Sequence, residues 1–268
     1  MITKNNKKQR VCALVAVRME SKRLPNKAFL DLGGHTILER VVINLKASEY
    51  IDEVIIATTN EKQDDPIEEF SIDKKISFYR GSKENVLERY WNAAKLYEAD
   101  IVVRATGDNP FVCYEIVDLL IRNHVSRNSD FTMVEKEKLP MGVATEIISK
   151  KSLDFLLSQK MNFSFSEYMT FYFINNPKFF DICVIPAPVK FRSHNPRARL
   201  TIDYPEDYEL AKFIVKSINP RNTSIKLENI LRLISNNPEI IYINQGLGVK
   251  WLDQKKLVDR ISLNTKIL

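Results

Sequence analysis

Four cationic side chains fall in one short stretch, Arg18-Met-Glu-Ser21-Lys22-Arg23-Leu-Pro25-Asn-Lys27. Arginine presents a planar fork of donors to phosphate oxygens, lysine a compact charge, and Ser21 with loop N–H groups can complete a cradle. This set suits a polyphosphate. Two carboxylates, Asp108 and Asp203, lie further along the chain, each just after a stretch that reads as a strand. Hard oxygen ligands of this kind hold Mg²⁺ against substrate phosphates. Read alone, Asp108 is equally a turn former before Asn109-Pro110, and Asp203 an N-cap for a helix opening at Pro205. The cationic loop turns the balance towards chemistry, because a metal bound to phosphate needs both partners.

These residues must be carried by a scaffold that brings strand ends together. Val11 to Val17 is a continuous apolar run suited to a strand buried on both faces, and the cationic loop follows it directly. Thr36 and Glu39 form a capping box ahead of Ile37, Leu38, Val41, Val42 and Leu45 at helical spacing. Strands follow at Glu53 to Thr59, Ile76 to Tyr79 and Ile101 to Ala105. Helices are expected from Asp65-Pro66, with Asp65 as N-cap, over Glu84 to Glu98, and over Glu115 to His124. This alternation predicts a doubly wound α/β sheet, which binds ligands at the carboxyl ends of its strands.

After Asp130 the rhythm changes. Asp130 to Val134, Met141 to Ser149, Asp181 to Pro186 and Arg199 to Asp203 read as strands, with helices at Lys151 to Gln159 and Ser166 to Asn175. A mixed, mostly parallel sheet with an acceptor-binding subregion at about 130–195 is expected. Pro205 to Ser217 and Leu227 to Ser235 read as helices, and Gly246 to Leu268 as either a strand and helix packed on the body or an oligomer contact. The division expected is a main domain over 1–220 and an extension over 221–268 packed on it.

Composition sets outer bounds. With 268 residues, 44% hydrophobic and 28% charged, the chain can bury a sizeable core. No apolar run approaches the roughly 20 residues of a membrane span, and the basic start precedes too short an apolar stretch for a secretory signal. Cys12, Cys113 and Cys183 are odd in number and widely spaced, which fits neither a disulfide framework nor a zinc site and suits a reducing cytoplasm. His35, His124 and His194 have no zinc-site spacing. The net charge of +6 is spread along the chain except at Lys4 to Arg10 and Arg192 to Arg199, with no aromatic interleaving for nucleic acid. Neither a GxGxxG fingerprint nor a Walker lysine motif is present.

Arg18-x-x-Ser-x-Arg-Leu-Pro-x-Lys27, followed by Leu30-x-Leu-Gly-Gly34, resembles the opening of the cytidylyltransferases that make CMP-activated sugars. The nearest resemblance is to the spore coat polysaccharide biosynthesis group, related to 3-deoxy-manno-octulosonate and acylneuraminate cytidylyltransferases. Arg80-Gly-Ser-x-x-Asn-Val-Leu-x-Arg-Tyr90 is similar to the family's nucleoside-contacting segment. Arg104-x-Thr-Gly-Asp108-x-Pro110 and Arg199-Leu-Thr-Ile-Asp203-x-Pro-Glu-Asp207 are similar to its two metal-aspartate segments. The resemblance spans roughly residues 11–215. Glu20 stands where Gly or Ala is common, Asn85 where Asp is common, and Tyr168 where the family commonly has His.

The resemblance implies the three-layer Rossmann-like fold of nucleotide-diphospho-sugar transferases and transfer of CMP from CTP to a sugar or sugar acid, with Mg²⁺ as cofactor. It implies the triphosphate on Arg18, Ser21, Arg23 and Lys27. On the same reading the nucleoside lies towards Thr58, Thr59, Asn85 and Arg104, and the acceptor towards Glu146, Glu167 and Arg199. Asp108 and Asp203 take the metal, and Arg18, Lys27 and Asp108 form the catalytic set. A twofold homodimer is compatible with an enzyme of this size. The rival readings are a guanylyl- or other nucleotidyltransferase acting on a sugar phosphate, and a metal-dependent glycosyltransferase of similar sheet architecture.

Overall fold

The computed structural model describes residues 3–4, 7–135, 138–192, 198–221, 223–247 and 255–267. A short antiparallel hairpin of β1 (Thr3–Lys4) and β2 (Lys7–Lys8) precedes the main sheet. That sheet has seven strands, β3 (Val11–Ala16), β4 (Glu53–Thr59), β5 (Ser77–Gly81), β6 (Ile101–Thr106), β7 (Phe131–Val134), β8 (Glu146–Ser149) and β9 (Ile182–Ile185), in the order β5-β4-β3-β6-β8-β7-β9. β3, β4, β5 and β6 pair in parallel, β8 runs antiparallel to β6 and β7, and β9 is parallel to β7.

The alternation of side chains along β3 divides the core. Val11, Ala13 and Val15 pack with α1 (Ile37–Lys46), α4 (Tyr114–Arg127), α7 (Pro205–Ile218) and α8 (Leu227–Asn236). Cys12 and Leu14 face α3 (Val86–Leu96), α5 (Lys150–Ser158) and α6 (Met169–Ile174) on the other side. The result is the expected three-layer α/β architecture with a mixed, mostly parallel sheet. Burial pushes the Cys12 thiol up to about 11 and the Cys113 thiol up to about 12, so neither is suited to act as a nucleophile.

Two close approaches shape the upper edge of the sheet. A Cβ on Gly107 would lie 2.8 Å from Val17 Cβ, so glycine lets the chain leaving β6 pass against the chain leaving β3. Gly142 has φ +95°, and a Cβ there would lie 2.6 Å from the Thr201 backbone nitrogen. This kink replaces most of the strand expected over Met141 to Ser149, leaving Glu146–Ser149. The strand expected at Arg199 to Asp203 is likewise only a single bridge between Met141 and Arg199, because Ile202 N–H turns to donate to the Asp108 carbonyl at 2.9 Å. Asp65 is the first residue of α2 (Asp65–Asp73) and not its cap. α9 (Lys255–Asn264) ends against α6, where Asn175 and Asn176 each donate to Thr265 at 2.7 Å; the segment 248–254, read as part of a strand, lies outside the described residues.

Buried polar side chains tie these connections down. Asn44 donates to the carbonyls of Pro110 and Val112 and accepts from Ile225 N–H at 2.8 Å, which fixes the loop beyond Asp108. Arg40 is 1% exposed and donates to the carbonyls of Leu32, Gly33 and Arg221 at 3.0, 2.6 and 2.7 Å. Burial pulls its pKa down against the opposing pull of Glu39 and Asp31. Arg40→Met is expected to cost about 2–4 kcal/mol in urea unfolding. Three carbonyls lose their donor at about 1–3 kcal/mol each, offset in part by no longer burying a guanidinium. A loss under about 1 kcal/mol would mean that water replaces the side chain.

Candidate functional site

β4 and β5 lie on one side of β3 and β6 on the other, so the chains leaving β3 and β6 diverge at the point where an open α/β sheet binds ligands. The cationic loop leaves β3 and Asp108 leaves β6 at that point. The loop is anchored from β4: Asp64 accepts Met19 N–H at 2.7 Å, and its other oxygen takes the Thr59 hydroxyl. This seats the loop over a cavity of about 590 Å³ whose lining includes seven cationic and four anionic side chains.

At one end of the cavity the Lys27 ammonium bridges two carboxylates. It stands 2.9 Å from Asp108 Oδ2 and 3.0 Å from Asp203 Oδ1, and its third donor meets the Ile202 carbonyl at 3.0 Å. Burial alone would lower the Lys27 pKa, but Asp108 and Asp203 overcome it and hold it above the ordinary lysine value. Asp108 is held below the ordinary aspartate value despite its burial, by Lys27 and by the Thr106 hydroxyl at 2.6 Å.

Asp203 is clamped from further sides. Arg23 reaches Oδ1 at 2.9 Å and Arg199 reaches Oδ2 at 2.7 Å. Behind them Asp207 accepts from Arg199 Nε and from Asn244, and its other oxygen takes the N–H groups of Asp203 and Tyr204. Asp207 thus performs the capping that the sequence offered to Asp203, which leaves Asp203 facing the cavity.

The other end of the cavity is built around arginines. Arg18 pairs with Glu167 at 3.2 Å, and Arg104 pairs with Glu146 at 2.9 Å. Burial would lower the Arg104 pKa, but Glu146 foremost raises it above the ordinary value.

A family model described as cytidylyltransferase matches residues 12–246. The chain belongs to the cytidylyltransferase family. This cytidylyltransferase is 31% identical to the spore coat polysaccharide biosynthesis protein SpsF of Bacillus subtilis (strain 168) over 84% of its own length and 94% of the relative's. A cytidylyltransferase structure from Leptospira borgpetersenii serovar Hardjo-bovis (strain JB197) aligns with a TM-score of 0.79 and 32% identity, over 87% of this chain and 97% of that one. The structure of CMP:2-keto-3-deoxy-manno-octonic acid synthetase complexed with CTP aligns at a TM-score of 0.59 and 12% identity, over 78% of this chain and all of that one, and shows shared fold alone.

Within this cytidylyltransferase the structure gathers Arg18, Ser21, Arg23, Lys27, Arg104, Asp108, Glu167 and Asp203 around one cavity. Thr58, Thr59 and Asn85, expected to contact the nucleoside, are not among its lining. Thr58 and Thr59 are 0% and 1% exposed, the latter engaged with Asp64, and Asn85 caps α3 by accepting Glu88 N–H at 3.0 Å. Arg80, at the head of the same segment, is turned back onto Asp65 and Glu68 at 2.7 and 2.6 Å. Glu146 and Arg199, expected at the acceptor, are 2% and 8% exposed and support Arg104 and Asp203 from behind. Val86 and Arg89, from the Arg80 to Tyr90 segment expected at the nucleoside, form the wall that Asn85 does not, together with Lys83, which sequence reasoning missed. Lys83 lies two residues ahead of the Asn85 cap, so its nearness to that segment is the signal that could have found it. Among the described residues no group of three or more His, Cys, Asp or Glu could hold a metal, and no helix is long and apolar enough to cross a membrane; His194 lies outside them.

Proposed function

We propose that this cytidylyltransferase transfers CMP from CTP to a hydroxyl of a sugar or sugar acid, releasing pyrophosphate, with a divalent cation such as Mg²⁺. The observation that carries this reading is the pair Asp108 and Asp203 meeting on one ammonium beneath the cationic loop. The two carboxylates fit a hard cation, since they already enclose the positive charge of Lys27 and supply oxygen donors from two separate segments. Two protein ligands alone would leave most of an octahedron to phosphate oxygens and water. When bound, the ion would neutralise the charge that develops on the phosphates.

The chain's own part is positioning and charge. Arg18, Lys22 and Arg23 line the cavity, where they hold the β- and γ-phosphates and receive the departing pyrophosphate. Lys27 lies where it can turn from the carboxylates to the α-phosphate. The acceptor oxygen forms a bond to the α-phosphorus, the bond to the bridging oxygen of pyrophosphate breaks, and the hydroxyl proton leaves to solvent. Glu146 and Glu167 are paired with arginines and are not needed as a base.

Pyrophosphate release should be measured with each of four triphosphates, Mg²⁺ and a panel of 2-keto sugar acids and sugar phosphates. Release from CTP with a sugar acid is the expected result. Release from GTP with a sugar phosphate would move the base assignment. Release of a nucleoside diphosphate from a nucleotide sugar, without pyrophosphate from any triphosphate, would replace the reading with glycosyl transfer. In thermal unfolding CTP at a hundredfold excess over its Kd should protect by about 2.7 kcal/mol, and ATP or GTP at equal concentration should protect less. A larger shift with GTP would overturn the cytidylyl choice.

A further inference from the structure

The chain beyond residue 220 reaches back to the carboxylate cluster through one buried side chain. It leaves α8 through Asn237 into a 3₁₀ helix at Pro238–Ile243, whose Ile240 and Ile241 are buried in the same core layer as Leu210, Ala211 and Ile214 of α7. Asn244 follows directly and meets the first turn of α7. It is 3% exposed, and its amide NH₂ donates to the Arg199 carbonyl at 3.0 Å and to Asp207 Oδ1 at 2.8 Å. Both partners are acceptors, so the amide can be turned only one way. Its Oδ1 takes no partner among the described residues. The side chain is therefore held at this place by its donors, and both are aimed at one ion pair.

That ion pair stands behind Asp203. The Asp207 carboxylate has about four lone-pair sites. Its Oδ2 takes the N–H groups of Asp203 and Tyr204 at 2.9 and 3.0 Å, and its Oδ1 takes Arg199 Nε at 2.9 Å. Asn244 fills the last site. Because the same amide holds the Arg199 carbonyl, both the backbone and the head of Arg199 are tied to one group, which leaves Nη2 aimed at Asp203 Oδ2 at 2.7 Å. We propose that Asn244 is a positioning residue for nucleotidyl transfer, acting through Asp207 and Arg199 to hold the Asp203 carboxylate at the cavity, so that the chain beyond residue 220 is a working part of the site. This rests on the reading of Asp203 as a residue of the reaction. Removing a hydrogen-bond partner behind a metal-binding carboxylate commonly costs about 10–100-fold in metal affinity or activity. Asn244 stands further back than such a partner, so its effect belongs at the lower end.

Two variants separate the donors from the packing. Asn244→Leu keeps the branched outline and removes both donors, whereas Asn244→Ala leaves space in which a water can donate to Asp207 and the Arg199 carbonyl. Loss of packing ranks alanine as the worse variant; loss of the donors ranks leucine as the worse. Pyrophosphate release from CTP, with Mg²⁺ and the sugar acid that wild type turns over fastest, should show kcat about tenfold lower in Asn244→Leu and about threefold lower in Asn244→Ala, with KM for CTP within about threefold of wild type in both. In calorimetry with EDTA all three proteins should bind CTP within about threefold of one another, while the gain in CTP affinity on adding Mg²⁺ should be about tenfold smaller in Asn244→Leu than in wild type. Asn176→Leu, which cuts a tie from α6 to the same extension outside this relay, should lower the melting temperature and leave kcat unchanged. If Asn244→Leu only melts lower, with kcat and the Mg²⁺ gain within about twofold of wild type, Asn244 is a structural tie like Asn176 and the proposal is overturned. A larger loss of kcat in Asn244→Ala than in Asn244→Leu would overturn it too. Turnover that survives in Asp203→Asn would instead bring down the reading beneath it.

Discussion

Lys27→Met is expected to lower kcat by about 10²–10³-fold, the scale for removing one preorganised donor from a developing negative charge. The larger part of that loss should appear in kcat, because Arg18, Lys22 and Arg23 remain to bind the triphosphate. The same substitution should carry a particular pH signature in stability. In the wild type the Lys27 pKa is raised, so its contribution is complete below the ordinary 10.5 and is lost as pH rises through the folded value. The Asp108 pKa is lowered, so its contribution is complete above the ordinary 3.8 and is lost as pH falls through the folded value.

Between those limits the bridge contributes at full strength. Without Lys27, burial acts on Asp108 with its hydrogen-bonded cation gone and only Arg23 and Arg104 opposing it, so its folded pKa rises above that of the wild type and the folded variant takes up a proton more readily than the folded wild type. The stability gap between wild type and Lys27→Met should therefore be largest near pH 7 and should narrow towards pH 4. Urea unfolding at both pH values measures this. A gap that stays constant, together with a mild rate loss, would make Lys27 a packing residue of the loop.

Most of the scaffold behind this bridge was legible from hydrophobic spacing and local capping. Val11 to Val17 and Glu53 to Thr59 have the length and apolar character of strands buried on both faces, and the Thr36 and Glu39 box fixed the start of α1. The Lys27, Asp108 and Asp203 cluster was legible because each member sits beside a recognisable strand or helix end. What was hidden is direction. Thr59 and Asn85 are of the right type and in the right place, but each turns its polar atoms to a neighbouring turn, and a period-2 or capping pattern does not state which way. Arg40 and Arg89 were hidden for the opposite reason. On amphipathic helices an arginine reads as the solvated face, and only the packed structure shows both to be buried. The kink at Gly142 removed strand pairing where a strand was expected, with a φ of +95° and no room for a Cβ beside the Thr201 backbone.

Asp108→Asn and Asp203→Asn are each expected to reduce turnover by 10³-fold or more, which is about 4 kcal/mol of transition-state stabilisation, while their effects on the fold should differ. The two residues are 95 positions apart in the chain and meet on one ammonium, so the reaction and not local folding is the shared property. An amide keeps the shape of the carboxylate but loses its charge and turns one acceptor into a donor. At Asp108 this is absorbed locally. The amide oxygen can stay on Lys27 while the new NH₂ faces the Thr106 hydroxyl, which can rotate to accept. At Asp203 it cannot be absorbed, because Lys27 and Arg23 donate to one oxygen and Arg199 to the other. Whichever way the amide turns, an NH₂ meets a cation with no lone pair to offer, and a donor is left without an acceptor at a cost of about 1–3 kcal/mol. Asp203→Asn should therefore melt lower than Asp108→Asn, by several degrees, although both retain the native circular dichroism spectrum. Measured side by side, turnover that survives in Asp203→Asn within about tenfold of wild type would remove Asp203 from the reaction and leave it as the anchor of the cationic loop. Loss of turnover in both, with the larger fall in melting temperature at Asp203, is the pattern that two carboxylates sharing one cation require.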